Sequence, residues 1–269
     1  MRVPSLRRFR SYAALLLVAG FAAFFTAGGP AATTTFSYVA MGDSYSSGVG
    51  TGSYTLDSAC KRSIYAYPYL FAQRHTMSSF TFVACSGAKT TDLIAKQVPY
   101  LSPSTNLVTM TIGGNDIGFA NLIEQCTLSD CTNTLTTTTA NLSATLTQPL
   151  DAAFAAVRQA APNAKVIVLG YPHVFSTVSC LGTLGISSTE EKDANALADA
   201  LDKLIQSQAT APAYGFTYES AIIPWTGHAV CSSSPWLNGL NLFNTGESYH
   251  PNKAGQSSGY LPLVTAVTG

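Results

Sequence analysis

The chain has 269 residues and a formal net charge of zero, with 14 basic side chains against 14 acidic ones and only 10% of residues charged. Such a balance leaves no electrostatic footprint for nucleic acid or for an anionic membrane surface. The apolar share of 46% is enough for a full hydrophobic core, so the exposed surface must be drawn largely from Ser, Thr, Asn, Gln and Gly.

Arg2, Arg7, Arg8 and Arg10 come first, then an apolar run from Tyr12 to Phe25, then small residues from Ala27 to Ala32. Basic, apolar and small segments in that order predict a secretory signal over residues 1–32, with cleavage near its end and an extracellular destination. About fourteen apolar residues fall short of the roughly twenty that a spanning helix needs, so no stable membrane insertion is expected. Residues 33–269 contain no internal repeat, Pro-rich linker or break in composition, and read as a single domain.

Phe36 to Met41 is a short apolar run stopped by Gly42-Asp43, the pattern of a buried strand. Phe80 to Ala84, Leu107 to Ile112 and Val166 to Leu169 repeat it, and Phe216 to Tyr218 does so more weakly. Leu135, Leu142, Leu146, Leu150, Phe154 and Val157 recur at helical spacing and predict an amphipathic helix ending before Pro162. Ser188 with Glu191 has the spacing of a capping box that opens a second helix, striped by Ala194, Leu197, Leu201, Leu204 and Ile205. Strands alternating with helices imply a mostly parallel, five-stranded sheet covered on both faces, a three-layer α/β/α sandwich. In such sheets ligands bind beyond the carboxyl ends of the strands.

The six cysteines are Cys60, Cys85, Cys126, Cys131, Cys180 and Cys231. An even count in an exported chain predicts disulfides, and no CxxC pair or His–Cys cluster suggests zinc. Every pairing is open on paper; sequential pairing is favoured, Cys60 with Cys85, Cys126 with Cys131 and Cys180 with Cys231.

Four segments at strand ends or near the C-terminus carry chemistry. They are Gly42-Asp43-Ser44-Tyr45-Ser46-Ser47-Gly48, Cys85-Ser86-Gly87-Ala88, Gly113-Gly114-Asn115-Asp116 and Ser248-Tyr249-His250-Pro251-Asn252. Acyl transfer needs a nucleophile, a base for its proton and donors for the oxygen that becomes anionic. Ser44 on a Gly-bearing turn suits the first role and His250 the second. Gly87, lacking a Cβ, can bring its N–H close to a substrate oxygen, and Asn115 offers a side-chain amide. A Gly-x-Ser-x-Gly elbow in strand–turn–helix context is missing, so an ordinary α/β-hydrolase is not indicated. His75, His173 and His228 match no motif and are read as structural or surface residues. Tyr45, Ile117, Phe119 and Trp236 are candidates for lining an acyl groove.

Together the four segments resemble the GDSL/SGNH hydrolases over nearly the whole of residues 33–269. The cysteine spacing and Trp236-Leu237-Asn238-Gly239 are similar to the secreted actinobacterial lipase and phospholipase A1 branch. The resemblance implies a flavodoxin-like fold and a serine carboxylic-ester hydrolase that works on lipid or phospholipid acyl esters through an acyl-Ser44 intermediate. It assigns an oxyanion hole to the Ser44 and Gly87 amides with the Asn115 side chain, leaving Asp43 and Asp116 to brace loops. No metal or cofactor is implied, the partner is the ester substrate, and a monomer is expected. A carbohydrate acetyl esterase is the alternative enzyme, and a catalytically silent glycan-binding protein the alternative outside enzymes. One position departs from the wider family, which usually places Asp three residues before the His: here it is Glu247. The main-chain carbonyl of Ser248 is therefore the candidate for orienting His250, with the Glu247 carboxylate as the alternative.

Overall fold

The structure is a computed structural model that describes Met1 and residues 34–269 apart from 177 and 179. The expected signal segment, beyond Met1, lies outside the described residues. Thr34 to Gly269 fold as one unit. Among the described residues no helix is long and apolar enough to cross a membrane.

Five strands, β1 (Thr35–Ala40), β2 (Thr76–Phe82), β3 (Leu107–Met110), β4 (Lys165–Leu169) and β5 (Thr217–Glu219), form one sheet in the order β2-β1-β3-β4-β5. All four pairings are parallel, and the order is the flavodoxin-like one. Parallel pairing requires crossovers, which are right-handed, so the direction of each step decides which face its helix covers. The step from β1 out to β2 carries α2 (Tyr67–Arg74), which packs against the C-terminal helix α7 (Leu261–Thr268). Steps in the opposite direction carry α5 (Thr132–Ala160) and α6 (Ser188–Ala209), which pack side by side on the other face. The central strand β3 is buried along its whole length, as an inner parallel strand must be.

Two expectations need correcting. The second strand begins at Thr76, not Phe80, because Thr76-Met77-Ser78-Ser79 lie on the sheet edge. There a strand needs one bonding partner and little apolar character. The cap of α6 is Ser187 with Glu190, one residue earlier than Ser188 with Glu191. Both registers satisfy the spacing. Glu190 wins because its carboxylate also accepts from the Cys131 N–H at 2.8 Å, joining the start of α5 to the start of α6.

Disulfides join Cys60 to Cys85, Cys126 to Cys131 and Cys180 to Cys231. The first closes a loop with a sequence separation of 25 and ties the segment after β2 to the loop that follows α1 (Ser44–Ser47). Replacing Cys60 and Cys85 together by Ser should lower unfolding free energy by about 2–4 kcal/mol. A urea midpoint unchanged from the parent, at equal m, would contradict it.

Candidate active site

The topological switch lies between β1 and β3, because the chain leaves β1 for β2 on one side and returns to β3 on the other. Segments after both strands meet there. Gly42 turns the chain out of β1 with φ of 117°, and a Cβ on it would lie 2.6 Å from the Thr111 carbonyl oxygen. Only glycine fits that approach. Asp43 then caps α1, accepting from the Tyr45 N–H at 3.0 Å and from Thr111 Oγ1 at 2.6 Å, with the Tyr171 hydroxyl as a third donor. Burial raises its carboxyl from 3.8 to about 6 against the pull of those donors. Asp43 therefore braces the turn that presents Ser44.

His250 comes from the C-terminal loop, and its Nε2 lies 2.9 Å from Ser44 Oγ. Its Nδ1 lies 2.9 Å from the Ser248 carbonyl oxygen. A carbonyl can only accept, so the proton sits on Nδ1 and Nε2 is left as an acceptor for the serine hydroxyl. The Glu247 carboxylate has no bond to the ring; it is buried and accepts from the Tyr54 hydroxyl at 2.5 Å. Tyr45 supports the loop by donating its hydroxyl to the Tyr249 carbonyl at 2.7 Å. Burial pushes the His250 imidazole from 6.5 down to about 4, with the Ser248 carbonyl opposing and the Lys61 charge adding to the shift.

Three residues that carry donors border the same cleft. As the first residue of α1, Ser44 has an N–H without an intrahelical acceptor. Gly87 holds φ of 80°, and a Cβ on it would meet nothing within 4 Å, so its backbone borders open space. The Asn115 amide donates to the Ala88 carbonyl at 3.0 Å, which fixes the amide and leaves its second hydrogen for a ligand. Ser44, Gly87, Asn115 and His250 line one cavity. Asp116 stands behind it, accepting from the N–H of Thr90, the first residue of α3 (Thr90–Asp92), and, at 2.6 Å, from the Thr90 hydroxyl.

A second, apolar pocket opens on Ser44, lined by Tyr45, Phe119, Ile123 and Tyr171. Tyr45 and Phe119 were expected there. Ile117 and Trp236 do not line it: Ile117 packs against the core and Trp236 stacks flat on His228 at 3.6 Å. Ile123 and Tyr171 were not singled out. Ile123 follows Phe119 by one helical turn in α4 (Phe119–Cys126), a signal the sequence carried. Tyr171 comes two residues after the end of β4, and only the sheet order brings it near. The other histidines lie outside this site. His75 bonds the Phe71 carbonyl at 2.9 Å, His173 pairs with Asp199 at 2.8 Å, and His228 bonds the Ser234 carbonyl at 2.7 Å.

A model of the GDSL-like lipase/acylhydrolase family matches residues 40–257. Lipase 1 of Streptomyces coelicolor is 45% identical over 270 residues, covering 96% of this chain and 98% of that protein. Among solved structures, phospholipase A1 from Streptomyces albidoflavus superposes with a TM-score of 0.81 at 42% identity, covering 87% of this chain and 99% of that one. An extracellular lipase from Streptomyces rimosus gives a TM-score of 0.80 at 40% identity, with the same coverage of 87% and 99%.

Proposed function

The chain belongs to the GDSL-like lipase/acylhydrolase family, and on that premise we propose that Ser44 is its nucleophile and His250 its general base. It is a carboxylic-ester hydrolase of lipid substrates. The observation that supports this assignment is the relay from Ser44 Oγ to His250 Nε2 and from Nδ1 to the Ser248 carbonyl, each step 2.9 Å.

Ser44 Oγ attacks the ester carbonyl as its proton passes to Nε2. The carbonyl oxygen, now negative, is held by the Ser44 and Gly87 N–H groups and the Asn115 amide. Collapse of this intermediate expels the alcohol, which takes the proton from Nε2, and leaves an acyl-Ser44 ester. Water then repeats the sequence and releases the acid. The apolar pocket of Tyr45, Phe119, Ile123 and Tyr171 receives the acyl chain. The Ser248 carbonyl keeps the imidazole oriented and stabilises the charge it gains, the part a carboxylate plays elsewhere.

We further propose export through removal of residues 1–32, and action as a monomer. The N-terminal mass of protein from culture medium tests the first and sedimentation the second. The substrate class is tested on the processed protein with p-nitrophenyl esters from acetyl to palmitoyl and with acetylated xylan. Preference for the longer acyl chains is expected. Activity confined to acetyl esters and acetylxylan would replace the lipid reading with a carbohydrate esterase.

Asn115→Ala should lower kcat by about 10²–10³-fold, roughly 2.7–4 kcal/mol, with little change in KM, because its donor acts on charge formed in the transition state. A variant within threefold of the parent would remove Asn115 from that role.

The base works as the neutral imidazole, so kcat/KM on a soluble ester should hold from pH 7 down to about 5 and fall near pH 4. A limb between pH 6 and 7 would contradict a buried base. For stability the two shifts oppose each other. His250, depressed in the folded state, contributes stability above about 6.5 that is lost as pH falls towards 4. Asp43, raised to about 6, contributes below 3.8 and loses that as pH rises through 6.

A further inference from the structure

Two cavities meet at Ser44, and the chemical steps above use one of them for the acyl chain but only the inner end of the other. The apolar pocket takes the acyl chain. The other is lined by Ser44, Gly87, Asn115 and His250, and continues past them to Lys61, Asn121, Glu124 and Gly246. Neither Lys61 nor Glu124 enters an ion pair among the described residues. Both side chains are half-buried, so each has given up part of its water without gaining a protein partner of opposite charge.

The setting of Lys61 is specific. Its φ is 50°, a left-handed conformation uncommon outside glycine. Backbone strain of this kind persists only where the surroundings hold it, and it clusters at ligand clamps. Here the surroundings are the Cys60–Cys85 disulfide on one side and the Arg62 N–H bond to the Asp57 carbonyl, 2.8 Å, on the other. Opposite stands Gly246, where a Cβ would come within 3.0 Å of the Lys61 Nζ. A side chain at that position would crowd the ammonium out of its place. The Lys61 charge is also felt at His250, which puts it within electrostatic reach of the reacting atoms.

On the reading that Ser44 cleaves a lipid ester, we propose that this second cavity holds the head group of a zwitterionic phospholipid, its phosphodiester against Lys61 and its ammonium towards Glu124. In such a lipid the phosphate lies one glycerol length from the scissile carbonyl, on the side away from the acyl chain. An acyl chain in the apolar pocket therefore directs the phosphate into the other cavity. Charge pairs in a partly enclosed cleft are screened less than on an open surface, so each contact favours the matching head group. An uncharged ester leaves both side chains to water and gains nothing from them.

The test compares kcat/KM for the parent, Lys61→Met, Lys61→Arg and Glu124→Gln. The substrates are monomeric dihexanoyl phosphatidylcholine, dihexanoyl phosphatidylglycerol and p-nitrophenyl hexanoate. Lys61→Met should lower the ratio of either phospholipid to the nitrophenyl ester about tenfold, equivalent to 1.4 kcal/mol, mainly through KM, and Lys61→Arg should restore most of it. Glu124→Gln should lower the choline-to-glycerol ratio about threefold. Ratios unchanged in Lys61→Met would overturn the phosphodiester contact, and an unchanged choline-to-glycerol ratio in Glu124→Gln the ammonium contact. A parent that cleaves the nitrophenyl ester but neither phospholipid would overturn the head-group site and leave ester hydrolysis standing. A parent that cleaves none of the three would remove the ester-hydrolase reading and the head-group site with it.

Discussion

Ser44→Ala is expected to lower kcat/KM on every ester by roughly 10³-fold or more, with the fold intact. On the proposed assignment its hydroxyl forms the covalent bond, and no neighbour is placed to replace it. Ser46 and Ser47 are also buried, but their hydroxyls are committed elsewhere. Ser46 Oγ bonds Thr111 Oγ1 at 2.8 Å and Ser47 Oγ bonds the Ser44 carbonyl at 3.3 Å. The loss of one oxygen leaves the Asp43 cap and the α1 backbone as they are, so the thermal midpoint should move by no more than a few degrees. What remains is the donor set and the acyl pocket, which can still speed attack by water. A variant within tenfold of the parent would show that Ser44 is not the acylated residue.

His250→Ala should also lose roughly 10³-fold or more, whereas Glu247→Gln should lose less than about tenfold, under 1.4 kcal/mol. The contrast follows from what the Glu247 carboxylate and the His250 ring each bind. The carboxylate receives the Tyr54 hydroxyl, and His250 Nδ1 is satisfied by the Ser248 carbonyl. Gln keeps an oxygen for the tyrosine to donate to, so the turn Thr245–Glu247 and the loop behind it should hold. Glu247→Ala would remove that acceptor and could perturb Tyr54, so Gln is the cleaner test. A loss near 10³-fold in Glu247→Gln, with the fold intact, would make the carboxylate the third member of a triad.

Much of the fold and of the residues gathered at the candidate site was legible in the sequence because chemistry and chain order coincide. Ser44, Gly87 and Asn115 each follow an apolar run, and the carboxyl ends of parallel strands are where an α/β sheet collects its ligands. His250 was legible only in combination with them, since a histidine before proline is unremarkable alone. What escaped depended on long-range geometry. The proposal of Ser248 over Glu247 draws on Tyr54, which lies 193 residues away in sequence and donates to the carboxylate. Tyr171 and Ile123 join the apolar pocket from the segment after β4 and from α4, elements whose spatial order no local pattern encodes. The polar start of β2 was missed because an edge strand need not alternate, and the cap of α6 because Ser187-Ser188-Thr189-Glu190-Glu191 contains the same motif in two registers.

The most direct test of Ser44 and His250 as the reacting pair is labelling of the processed protein with a fluorophosphonate, followed by peptide mapping. A fluorophosphonate loses fluoride to form a stable phosphonyl ester fastest with a serine whose proton a neighbouring base can take. One adduct per chain is predicted, on the peptide carrying Ser44, and it should be lost in both Ser44→Ala and His250→Ala. An adduct on any other residue, or full labelling of Ser44 in His250→Ala, would contradict the account.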